Sequence, residues 1–163
     1  MGNRGEELGE MKKILIVGQG PSCNHKRDQL PLDGPRSGDR LASLCGLTRE
    51  ELLKRCDTVN LLTKWYGKNG KGDTFPIKVA KLFARDMTST LVRYHYVILL
   101  GKNVGRSFGM NNGYFAWITK DWGLSMTLFV VIPHPSGVNR WWNKKDNEQL
   151  ARQFLTRVLN SPE

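Results

Sequence analysis

The sequence predicts an α/β protein: a single domain with three α/β/α layers around a four-stranded, mainly parallel sheet. The chain has 163 residues, a length that suits one domain with one hydrophobic core. Four short runs are almost continuously apolar, as in strands that are covered on both faces. Segments with helical periodicity separate these runs, which is typical of a parallel sheet with crossover helices. The predicted strands occupy residues 14–17, 59–62, 97–100 and 128–132.

Local signals predict three helices. Thr48-x-x-Glu51 is a capping box that opens a helix ending near Arg55. Pro76 suits the first turn of a second helix. Its apolar positions are Ile77, Ala80, Leu82, Phe83 and Met87. Asp146 is the predicted cap of a last helix, and the apolar face of that helix comprises Leu150, Phe154 and Val158.

We expect a flexible segment over residues 1–12 and a folded domain over 13–160. No apolar run approaches the roughly 20 residues that span a bilayer, and the first twelve residues lack the apolar core of a signal peptide. We therefore expect a cytoplasmic protein with no membrane partner, and a monomer.

The charge of the chain points to a polyanionic partner. The formal net charge is +10. The segment from Lys64 to Ser107 contains nine Lys or Arg residues and only two acidic residues, Asp73 and Asp86. This excess favours nucleic acid as the partner. A solvated basic face is the alternative, and charge alone names no reaction.

The cysteines predict neither a disulfide framework nor a metal site. The chain has three cysteines, an odd number, and no two of them form a C-x-x-C pair. They are Cys23, Cys45 and Cys56. We expect three reduced thiols, no metal and no cofactor.

A polar or small residue follows the first, third and fourth predicted strands, and Asn60 lies within the second. Long loops over 20–39 and 66–74 follow the first two strands. These residues should meet at the carboxyl edge of the sheet, where open α/β sheets bind ligands. They are Gly18, Asn60, Gly101 and His134.

The Gly18-x-Gly20 pair also suggests a dinucleotide-binding interpretation. However, the third glycine position holds Cys23, and Pro21 interrupts the turn where a helix should begin.

Two segments together carry a more specific signal: Gly18-Gln19-Gly20-Pro21-Ser22 after the first strand, and His134-Pro135-Ser136 after the last. They resemble motifs of the uracil-DNA glycosylase superfamily, with the closest motif layout in its thermostable bacterial and archaeal branches. The resemblance covers about residues 12–145. It implies the fold of that superfamily, DNA as the partner in single- or double-stranded form, and a nucleoid-associated protein.

The resemblance implies a monofunctional DNA glycosylase. Such an enzyme flips a nucleotide out of DNA and hydrolyses its glycosidic bond, leaving an abasic site. His134 would donate a hydrogen bond to the pyrimidine O2, and Asn60 would read the O4/N3 edge. Gly18, Gly20 and Leu32 would border the base. The implied DNA contacts are Ser22, Arg36, Ser37, Ser136, Val138, Asn139 and Arg140. We expect Trp141 and Trp142 to anchor the last loop in the core.

The first motif departs from the family pattern. Gln19 and Gly20 stand where relatives carry an acidic or amide residue that positions water, so we favour Asp33, with Gln19 as an orienting partner, over Asp39. The missing side chain at Gly20 suggests space near the base C5 atom. The hypothesis is therefore excision of uracil or of a 5-substituted pyrimidine such as 5-hydroxymethyluracil.

Two other functions fit the same sequence. One is a non-catalytic DNA-binding or base-sensing protein on the same scaffold, favoured by the missing first-motif acid. The other is a pyrimidine-base-modifying enzyme with a repurposed pocket.

Overall fold

The central sheet has five strands in the order β2-β1-β5-β7-β6. The computed structural model describes residues 12–23, 31–32, 35–136 and 139–160, and only the backbone of residues 35 and 36. The strands are β1 (Ile14–Gly18), β2 (Cys56–Asn60), β3 (Lys68–Asn69), β4 (Gly72–Asp73), β5 (Tyr96–Leu100), β6 (Ile118–Asp121) and β7 (Met126–Ile132). The helices are α1 (Arg40–Leu44), α2 (Arg49–Arg55), α3 (Ile77–Asp86), α4 (Thr88–Leu91), α5 (Lys102–Ser107) and α6 (Lys145–Leu159).

Strands β2, β1, β5 and β7 are parallel to one another, which confirms the predicted α/β class and the strands predicted at 14–17, 97–100 and 128–132. The strand predicted at 59–62 is shifted, because β2 ends at Asn60. The predicted strand number is one too low. Strand β6 pairs antiparallel with β7 at the edge of the sheet. Its residues after Ile118 are exposed and polar, so it lacks the apolar run that marks the other four strands.

Helices cover both faces of the sheet and give the predicted three layers. Helices α1, α2 and α6 pack on one face, where the core includes Ile16 and Ile98. Helices α3, α4 and α5 pack on the other face, where the core includes Val17 and Phe129. The two faces of each strand are therefore both buried, as the continuous apolar runs indicate.

The predicted start of α2 is confirmed. The Thr48 hydroxyl accepts a hydrogen bond from the Glu51 amide at 3.2 Å, and the Glu51 carboxylate accepts one from the Thr48 amide at 2.8 Å. Helix α3 begins after Pro76, as predicted. The apolar face predicted for α3 is wrong at Leu82, which is 59% exposed.

The predicted cap and face of α6 need correction. The helix begins at Lys145, so Asp146 lies within its first turn instead of capping it. Its buried residues are Ala151, Leu155 and Val158, whereas Leu150 is 50% exposed. Val158 is buried as predicted and Phe154 packs half-buried against the core, so the predicted face is wrong at Leu150.

The segment predicted as a long loop over 66–74 contains the short β3–β4 hairpin. The Thr74 amide donates to the Gly67 carbonyl at 2.8 Å, and the Trp65 indole donates to the Asp73 carboxylate at 3.0 Å. Two hydrogen bonds therefore hold the base of a hairpin that is too short to be recognised from its sequence. None of the helices in the described part of the chain has the length and apolarity to cross a bilayer.

Candidate active site

The four parallel strands bring the predicted polar residues to one edge of the sheet. Gly18 pairs in register with Asn60 across β1 and β2, and Leu100 pairs with Ile132 across β5 and β7. Because neighbouring strands lie about 4.8 Å apart, the ends of β2 and β7 are about 14 Å apart. The ends of β1 and β5 lie between these two strands.

Gly18 allows a close approach of neighbouring residues to the end of β2. A Cβ atom at this position would stand 3.2 Å from Asn60 Oδ1 and 2.9 Å from the ring of Pro31. The Asn60 side chain is half-buried, and the Leu61 amide donates to the Gly18 carbonyl at 2.9 Å. The position of Asn60 is thus fixed by sheet pairing and by the absence of a side chain at Gly18.

His134 follows β7 and is held by main-chain contacts. The Gly101 amide donates to the Ile132 carbonyl at 2.8 Å, and a Cβ atom at Gly101 would stand 3.5 Å from His134 Cβ. His134 Nδ1 accepts a hydrogen bond from the Ser136 amide at 3.1 Å. Because Nδ1 is an acceptor, the neutral ring carries its proton on Nε2.

Burial favours this neutral form of the ring. Desolvation lowers the pKa of His134 below its ordinary value of 6.5. A neutral imidazole with its proton on Nε2 is a hydrogen-bond donor at neutral pH. It can therefore stabilise negative charge that develops on an oxygen atom.

Three side chains fix the loop that carries His134. The His134 carbonyl accepts a hydrogen bond from the Trp142 indole at 2.8 Å and one from Asn139 Nδ2 at 3.3 Å. Asn139 Oδ1 accepts from the Trp141 amide at 3.1 Å and caps a 3₁₀ turn over Arg140–Asn143. The guanidinium of Arg40 lies 5.3 Å from the Trp142 ring centre and donates to the Ser136 carbonyl at 3.4 Å.

Residues 7–158 match the family model of the uracil DNA glycosylase superfamily. The chain belongs to this superfamily. No curated protein that we compared matches the chain. The superfamily match confirms the resemblance drawn from the two motif segments, and likeness to the thermostable branches stays a prediction. Superfamily members are in general hydrolytic DNA glycosylases, and DNA is accordingly the partner class.

The first glycosylase motif of this superfamily member runs beside the end of β2. The Leu62 amide donates to the Gln19 carbonyl at 2.9 Å, and Gln19 is half-buried. A Cβ atom at Gly20 would stand 2.9 Å from both Leu62 Cβ and the Leu62 carbonyl oxygen. The missing side chain at Gly20 therefore permits contact with Leu62, and the space that we expected there is occupied by that residue.

Leu32 lies in the core on the α1, α2 and α6 side of the sheet. It is 5% exposed and has a φ of 64°, a left-handed conformation that is uncommon for leucine. Its carbonyl lies so near Gly38 that a Cβ atom at residue 38 would overlap it. Its role beside the base stays a prediction.

The predicted DNA-contacting residues are distributed over three segments. Ser22 is exposed at the end of the first motif, Ser37 is half-buried in a π-helical turn, and Arg140 is exposed after β7. Ser136 and Asn139 lie in the His134 loop, where both form the hydrogen bonds described above. Asp33, Val138 and the Arg36 side chain lie outside the described residues.

Trp142 is 3% exposed, and Trp141 packs edge-on against its ring at a centroid distance of 4.9 Å. The prediction that both tryptophans anchor this loop is confirmed. The contribution of Arg40 was not recognised from the sequence. It lies 96 residues before Ser136, and no local pattern joins two residues so far apart.

The described residues contain no group of three or more His, Cys, Asp or Glu side chains that could hold a metal ion. Burial raises the pKa of the Cys45 and Cys56 thiols to about 12. Both thiols therefore stay protonated at neutral pH and are poor nucleophiles.

Proposed function

We propose that this protein is a monofunctional DNA glycosylase that excises uracil and leaves an abasic site. One observation carries the proposal. In a chain of the glycosylase superfamily, Asn60 ends β2 and His134 follows β7 at the carboxyl edge of one parallel sheet.

The imidazole supplies the donor that the reaction needs. Cleavage of the glycosidic bond leaves negative charge on the departing base, and His134 Nε2–H would stabilise it at the pyrimidine O2. Loss of one such donor typically lowers the rate about 10²–10³-fold. A neutral donor suits this role because it places no full positive charge beside the base before the glycosidic bond breaks.

The carboxamide of Asn60 supplies selectivity. An amide presents both a donor and an acceptor, which matches the O4/N3 edge of uracil. A base with a different edge leaves a buried polar group without a partner, and discrimination on that basis is strong. We propose Asp33, with Gln19 as its partner, for the positioning of water.

The test is excision from single- and double-stranded oligonucleotides that contain uracil or 5-hydroxymethyluracil, with alkaline cleavage of abasic sites. We expect strand breaks with the wild-type chain and a loss of about 10²–10³-fold in His134→Ala. The matched control is His95→Ala, because His95 is exposed and precedes β5 at the opposite edge of the sheet. Equal loss in both variants would contradict the role given to His134.

A second function is favoured by one observation. Among the described residues that follow the parallel strands, Gln19, Gly20, Gly101 and His134, none carries a carboxylate. A protein that binds an everted base without cleaving it would need none. Tight binding to all these oligonucleotides without breaks would support this base-sensing function and contradict the glycosylase.

A further inference from the structure

A cleft of about 460 Å³ opens beside α5 and has no part in the proposed chemistry. It lies between α5 and the segment before β6, on the face of the sheet that α3 covers. Its volume is within the range of sites that bind small molecules. The lining residues are Lys102, Arg106, Met110, Asn111, Gly113, Tyr114 and Val131.

Two cations, Lys102 and Arg106, border the cleft. Lys102 and Arg106 lie one helical turn apart on α5 and are exposed. Neither forms an ion pair within the described residues, and none of the lining residues is acidic. Two unpaired cations one turn apart present a site for a phosphate group.

The other walls of the cleft suit a nucleobase. Met110 and Val131 are 6% and 5% exposed and supply an apolar surface. The Tyr114 ring is half-buried, and the Lys102 ammonium lies 5.5 Å from its centre. Bases stack on such rings in proteins that bind single-stranded nucleic acid. An aromatic ring, an apolar surface and two cations therefore match the parts of one nucleotide.

Two residues that line the cleft adjoin the His134 loop or its neighbours. Lys102 follows Gly101 directly, and Gly101 faces His134 at the distance described above. Tyr114 packs edge-on against Trp141 at a centroid distance of 6.1 Å. A strand whose everted base contacts His134 would therefore place its next nucleotide at the cleft.

We infer that this cleft is a second nucleotide subsite, which binds the unpaired neighbour of the everted nucleotide and makes single-stranded DNA the preferred substrate. The inference rests on the proposed function for the position of the DNA strand. The phosphate contacts Lys102 and Arg106, and the base stacks on Tyr114. In duplex DNA that neighbour is paired, and its release costs additional unstacking energy.

Calorimetric titration with thymidine 3′,5′-bisphosphate tests the subsite without any need for excision. We expect the double variant Lys102→Ala/Arg106→Ala to bind this probe at least about tenfold more weakly than the wild-type chain. The control with the same charge change is Lys54→Ala/Arg93→Ala, because both residues are exposed and lie at the amino edge of the sheet. Equal binding by all three proteins would overturn the inference.

Excision assays separate the two proposals. With uracil oligonucleotides we expect the ratio of kcat/KM for single-stranded to duplex substrate to fall about tenfold in Lys102→Ala/Arg106→Ala and in Tyr114→Leu, but not in the control. An unchanged ratio in an active enzyme overturns the subsite and leaves the glycosylase standing. Nucleotide binding that depends on both cations, in a protein without excision activity, supports the subsite and contradicts the glycosylase.

Discussion

Replacing Asn139 tests whether its side chain holds the His134 loop or contacts DNA. Its two hydrogen bonds join the start of the 3₁₀ turn to the His134 carbonyl. Loss of a side-chain cap costs about 1 kcal/mol, and loss of a second hydrogen bond costs about 1 kcal/mol. We therefore expect Asn139→Ala to lower the free energy of unfolding by about 2 kcal/mol.

Thermal unfolding measures this loss. For a chain of this size, 2 kcal/mol corresponds to a decrease in Tm of about 4–8 °C. Asn139→Asp is the matched variant, because it keeps the oxygen that caps the turn and loses the donor to the His134 carbonyl. We expect it to lose about half as much stability as Asn139→Ala.

Activity and salt dependence complete the test. If Asn139 acts through His134, Asn139→Ala slows excision while the slope of log Kd for DNA against log salt concentration stays unchanged. An arginine-to-phosphate contact behaves differently, so Arg140→Ala should reduce that slope by about one. Normal stability together with weaker DNA binding in Asn139→Ala would refute the reasoning and assign the side chain to DNA.

Three further predictions concern the site and its support. The lowered pKa of His134 means that the unfolded chain binds a proton on this ring more readily than the folded chain does. The stability gained from the neutral ring is therefore present above pH 6.5 and is lost as the pH falls towards the pKa of the folded state. The free energy of unfolding of His134→Gln should lack this component of the pH dependence. Trp142→Phe keeps an aromatic ring but removes the donor to the His134 carbonyl, and should lower stability by about 1 kcal/mol and slow excision. Gly105→Ala places a methyl group 2.7 Å from Val131 Cγ2 and should lower the free energy of unfolding, measured in urea, by about 1–3 kcal/mol. Adding Val131→Ala should lower that free energy by less in this variant than in the wild-type chain.

The strands that carry the site were predictable because each is covered on both faces. The continuous apolar runs that end at Val17, Leu100 and Ile132 correspond to β1, β5 and β7 within one residue at their carboxyl ends. Strand β2 is shifted: it ends at Asn60, and the apolar pair Leu61 and Leu62 lies beyond it. Strand β6 has one paired neighbour and exposed side chains, so its sequence is indistinguishable from that of a polar loop.

The support of the site was less predictable than its position. The motif segments identify His134, but not the contact between Arg40 and the Ser136 carbonyl, because that contact depends on tertiary packing. The packing of Gly20 against Leu62 is a similar case. In the sequence, a glycine suggests open space beside the backbone. Only the structure shows that a neighbouring residue, here Leu62, fills that space.

Asn60 and His134 are held by different kinds of interaction, and this difference has a functional consequence. Asn60 ends a strand that is paired along its whole length with β1, so its position follows from the sheet. His134 lies beyond the last residue of β7, and apart from the Ser136 amide its described hydrogen bonds come from the side chains of Trp142 and Asn139. Side-chain bonds are lost singly by mutation, whereas strand pairing is not. Substitutions in the His134 loop should therefore lower the rate of excision more than they alter the choice of base.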